Sequence, residues 1–66
     1  MPKFMLVTDA LTQKHILIRA DLILSIEDDS ELDVRTIHFI NCDTTECVSN
    51  SLDNIYQELH SMFSER

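Results

Sequence analysis

Residues 51–63 read SLDNIYQELHSMF, and their spacing decides the fold class. Leu52, Ile55, Tyr56, Leu59, Met62 and Phe63 recur at intervals of three, one, three, three and one. That is the apolar stripe of an amphipathic helix, with Asn54, Gln57, Glu58, Ser61 and Glu65 left for the opposite side. Ser51 suits the N-cap, with Asp53 in the first turn where the helix dipole favours a negative charge. Asn50 is a competing cap. The stripe needs an apolar surface to cover it.

The residues that precede the helix supply such a surface as short strands. Lys3–Thr8 (KFMLVT), His15–Arg19 (HILIR), Leu22–Glu27 (LILSIE), Arg35–Asn41 (RTIHFIN) and the brief Glu46–Ser49 are β-prone and separated by polar connections. Asp9–Lys14 is of hairpin length, Ala20-Asp21 is a short break, and Asp28–Val34 is an acidic loop. Five short strands followed by one helix predict an α+β fold. The expected architecture is an antiparallel five-strand β-meander, open or curled into a partial barrel, with one C-terminal amphipathic helix on a face. Residues 1–66 form one small domain.

Two apolar sets lie along these strands. Phe4 and Leu6, Ile16 and Ile18, Leu22, Leu24 and Ile26, Ile37 and Phe39 are assigned to the helix side. Met5, Val7, Leu17, Ile23 and Ile40 then point away, and the sets exchange roles if the faces are inverted. One helix cannot cover both. A domain of 66 residues buries only about 60% of its unfolded surface and has a marginal core. Met5, Val7, Leu17, Ile23 and Ile40 are therefore the candidate interface for a second copy of the chain or another protein.

Composition excludes several function classes. The chain carries 12 acidic and 5 basic residues, a formal net charge of −7. Its basic residues, Lys3, Lys14, Arg19, Arg35 and Arg66, are scattered, which argues against direct binding to nucleic acid. It contains no Gly, so phosphate-cradling loops, dinucleotide fingerprints and nucleophile elbows are absent. No apolar run approaches the roughly 20 residues of a membrane span, and no secretory signal is legible. A cytoplasmic protein with reduced thiols is expected.

Candidate chemistry is thin. Asp29, Glu31 and Asp33 fall at calcium-loop positions one, three and five, but Val34 stands where that loop needs Gly and Ile40 where it needs the bidentate Glu. Cys42 and Cys47 bracket a turn, with His38 and His60 at spacings unlike a zinc knuckle. A Cys–His nucleophile oriented by Asp43 or Glu46 has no oxyanion loop beside it. No catalytic residue, metal or cofactor is assigned. Two function classes remain: a non-catalytic protein acting by protein–protein contact as a homo-oligomer, and an acidic inhibitor or nucleic-acid-mimicking decoy of a basic partner.

Asp21-Leu22-Ile23, Ile26-Glu27, Thr36-Ile37, Asn41, Val48 and Ser51-Leu52 with Ile55 resemble the small flagellar FlbD/SwrD-type proteins. The resemblance covers roughly Ile18 to Leu59. It implies a short bacterial cytosolic protein, or a mobile-element relative of one, with no catalytic activity. Cys42 follows Asn41 where that pattern has Gly, and Asn50 replaces the Glu before Ser51.

Overall fold

A computed structural model of the chain describes residues 2–64. It contains β1 (Phe4–Thr8), β2 (His15–Arg19), a single 3-10 turn (Ala20–Leu22), β3 (Ile23–Asp29), β4 (Val34–Phe39), β5 (Thr45–Val48) and α1 (Leu52–Phe63). The α+β class, the five antiparallel strands and the C-terminal helix all agree with the sequence. The strands form a two-stranded ribbon, β1-β2, and a three-stranded sheet in the order β3-β4-β5. The 3-10 turn stands between β2 and β3, so no closed barrel forms. The two sheets meet instead where Asp9 bridges to Val48, with the Ala10 amide on the Cys47 carbonyl and the Ser49 amide on the Thr8 carbonyl.

The Asp9–Lys14 loop fixes which face of the ribbon is buried. Asp9 Oδ1 accepts the Leu11 and Thr12 amides at 2.9 Å, the Gln13 amide returns to the Asp9 carbonyl, and Gln13 takes a left-handed φ of 62°. This loop sets Met5 opposite Ile18 and Val7 opposite Ile16. Directly opposed residues of an antiparallel pair share a face, so Ile16 and Ile18 can face the core only with Met5 and Val7. Met5 and Val7 are therefore buried, which corrects their assignment to an outward interface. Phe4 and Leu6, expected beneath the helix, are exposed instead.

A β-bulge makes a second correction. The register of β3 on β4 shifts between Ile23 and Ser25, so that Ile23 opposes Phe39 and Ile26 opposes Ile37. A bulge breaks the two-residue alternation. Ile23 and Ile26 thus both pack against the core, while Leu24 is expelled and 67% exposed. Ile23 is half-buried against the core rather than pointing away from it. Leu17 and Ile40 remain at the surface, as expected.

The core comprises Met5, Val7, Ile18, Ala20, Ile37, Val48 and Ile55, ringed by Ile16, Ile23, Ile26, Phe39, Leu59 and Met62. Each fully buried Ile or Val contributes about 1.5–3 kcal/mol relative to exposure. Ser51 caps α1 by accepting the Asn54 amide at 3.1 Å. The competing cap, Asn50, does a different job: its Oδ1 accepts the Thr8 amide at 2.8 Å and ties the helix start to β1.

Candidate interaction surface

Sheet register leaves one face of the ribbon uncovered. Leu6 lies opposite Leu17, Phe4 opposite Arg19 and Thr8 opposite His15. The Arg19 guanidinium sits 6.0 Å above the Phe4 ring, and Thr8 Oγ1 is 3.2 Å from His15 Nδ1. Arg19 also grips Asp21 through two nitrogens at 2.8 and 2.6 Å, which holds the Asp21 carboxyl well below the usual carboxylate range. Phe4, Leu6 and Leu17 are all more than half exposed.

A second apolar surface is a groove between β3 and α1. At one end Ile26, Leu52, Tyr56 and Leu59 line it with Asp53 beside them, and at the other Ala20, Ile23, Leu24 and Phe63 with Asp21 and Ser25. Leu52, Tyr56 and Phe63 belong to the helix stripe legible in the sequence, yet all three are exposed. The stripe is wider than the strand surface it covers. The Lys3 ammonium lies 5.8 Å over the Phe63 ring, and Tyr56 stacks on His60 with centroids 5.9 Å apart.

A third depression lies where the two sheets join, between the loop tips carrying Leu11 and Leu32, with Val34, Glu46 and Cys47 along it. Here Glu46 of β5 faces Asp9 of the ribbon loop. Burial, then the neighbouring Asp9 carboxyl, push Glu46 up to about 7, while Asp9 is held below the ordinary range. Glu46 Oε2 is buried with no hydrogen-bond partner. Burial beside the Asp9 carboxyl thus favours the neutral form of Glu46. Nothing in the spacing of Asp9 and Glu46 announced this pair; only the Asp9–Val48 bridge brings them together.

The acidic run is built into the fold. Asp29 repeats the role of Asp9, its Oδ1 accepting the Glu31 and Leu32 amides, with Asp33 at the left-handed position. Asp33 and Asp28 flank Arg35, which points inward and is only 5% exposed. Arg35, one of the basic residues scattered along the sequence, lies directly opposite Asp28 in the strand register and is buried.

The remaining chemical candidates are dispersed. Cys42 and Cys47 are free and exposed. Cys42 Sγ lies 3.1 Å from Thr44 Oγ1, which lowers its thiol pKa, and Cys47 Sγ lies 3.6 Å from Thr36 Oγ1. His38 Nε2 is 3.4 Å from Glu27 Oε1. Among the described residues no three His, Cys, Asp or Glu side chains group as metal ligands, and no helix is long and apolar enough to cross a membrane. No protein-family model, curated protein or solved structure matches the chain.

Proposed function

We propose that this protein acts by protein–protein contact, that its first partner is another copy of itself, and that it carries no catalysis of its own. The observation behind this is the balance of its apolar residues. Among the described residues eleven large hydrophobic side chains are exposed, against seven hydrophobic residues in the buried core. A single exposed Leu needs no explanation, but contiguous patches on a small domain mark contact surfaces. Burying them also adds the stability that so small a core lacks.

The polar groups support the same reading. Asp9 and Asp29 organise loops, and Asp28 and Asp33 hold Arg35, so these carboxylates are engaged locally. A decoy for a phosphate backbone would instead carry them spread over one surface. The exposed free thiols suit a reducing, cytoplasmic setting, and the resemblance to small flagellar proteins suits a bacterial one. The test is the solution mass by light scattering across a dilution series with reductant present. A dimer or larger species is expected. A monomer at every concentration removes self-association from the reading.

A further inference from the structure

We infer that β3 pairs antiparallel with β3 of a second copy about a two-fold axis, with the two α1 helices closing over the join. This rests on the self-association proposed above and names its surface. β3 is bonded to β4 on one side only. Among the described residues, the backbone hydrogen bond that leaves its other edge is the Ile23 amide to the Ala20 carbonyl at the start of the strand, and from Leu24 onward that edge is unpaired. It is the longest strand, with seven residues.

Exposed strand edges are usually blunted by charge, by proline or by a covering element. The stretch Ile23–Ile26 carries no charge and no proline. Its bulge turns Leu24, rather than a lysine, out to solvent. The helix lies beside this edge with Leu52, Tyr56 and Phe63 exposed along the groove. An unpaired strand next to an apolar helix face has the character of a core cut in half.

Charge identifies the occupant as a second copy. Along the chain the neutral stretch is preceded by the Arg19–Asp21 ion pair, whose Asp21 Oδ1 also accepts the Lys3 backbone amide, and followed by Glu27, Asp28 and Asp29. The second end of the edge is thus much the more acidic. Antiparallel pairing about a two-fold lays each acidic end away from its copy and towards the other copy's Arg19 and Lys3. Parallel pairing would set acid beside acid. An isologous contact of this kind is self-complementary.

The size is also adequate. Leu24, Leu52, Tyr56 and Phe63 together expose on the order of 400 Å², and the strand edge brings the patch towards the roughly 800 Å² per partner of a standard interface. The resulting six-stranded sheet would carry both helices on one face.

The experiment compares the masses of the full chain and two variants by light scattering, with circular dichroism to confirm folding. Leu24 and Leu17 are equally exposed at 67%, so neither substitution opens the core. Leu24→Lys is expected to raise the dissociation constant at least 100-fold, leaving a folded monomer, whereas Leu17→Lys stays dimeric. In a Cys42→Ser/Cys47→Ser background, Leu24→Cys or Ser25→Cys should form an intermolecular disulfide on oxidation, since a two-fold places one of these residues close to its copy. A dimer that survives Leu24→Lys, or dissolves with Leu17→Lys alone, overturns the β3 interface and leaves self-association standing. A wild-type monomer overturns both.

Discussion

At the scale of single residues, the absence of glycine is the most consequential feature of this chain. Gln13, Asp33 and Asn41 occupy left-handed backbone positions with φ of 62°, 56° and 56°. Such a conformation costs a residue with a Cβ about 1–2 kcal/mol. Asn and Asp tolerate it best, and Asp33 is further held by its contacts with Arg35. Gln13 has only an exposed side-chain bond to the Ala10 carbonyl. Gln13→Gly should therefore stabilise the protein by about 0.5 kcal/mol after the extra entropy of the unfolded glycine is counted. That corresponds to a rise of about 2–4 °C in Tm for a domain of this size. Leu11→Gly, at an exposed position outside the left-handed region, should lower Tm instead. If both variants move Tm the same way, backbone strain at Gln13 is not the cause.

At the scale of elements, what could be read and what could not follow from the range of the interactions. Ser51 and the stripe from Leu52 to Phe63 announce a helix because capping and 3.6-residue periodicity are local properties. The five strands are legible for the same reason. The facing of β1 is not, because it depends on how Asp9 and Gln13 shape a loop whose register pairs Met5 with Ile18. The bulge at Leu24 is invisible to any rule of strict alternation. Both errors misplaced the candidate interface: Met5 and Val7 are core, and Leu17 alone stood for the true outer face of the ribbon. Arg35 is the third case, a buried cation on β4 whose Nε has no hydrogen-bond partner. Its partners Asp28 and Asp33 keep much of their own exposure, and Asp33 is 92% exposed. Removing the cation thus strands no buried anion, and packing outweighs the ion pairs. Arg35→Met should cost less than about 1 kcal/mol, and Arg35→Ala about 2–3 kcal/mol by leaving a cavity beside Val48. Urea denaturation of both variants checks this ordering; equal losses would mean that the ion pairs dominate.

At the scale of the whole molecule, the ribbon and the three-stranded sheet are joined by little backbone: the Asp9–Val48 bridge and the two hydrogen bonds beside it. The Asp9–Glu46 pair crosses this same joint, so its protonation acts on the union of the two sheets. Glu46 has a folded pKa of about 7 against an ordinary 4.5. The folded state therefore holds a proton that the unfolded state releases, and this contribution is complete below about pH 4.5 and lost as pH rises through about 7. Between pH 5.5 and pH 8 the protein should lose about 1–2 kcal/mol of stability, less than a fully buried carboxyl would give because Glu46 is partly solvated. Glu46→Gln is neutral at every pH and should flatten the profile, leaving the variant the more stable protein at pH 8. Because dimerisation also stabilises the folded state in proportion to concentration, the comparison belongs in the Leu24→Lys background at one protein concentration. A wild-type slope that persists unchanged in Glu46→Gln would place the pH dependence elsewhere in the molecule. A slope abolished by Glu46→Gln would identify Glu46, half-buried at the joint of ribbon and sheet, as the group whose ionisation weakens the fold.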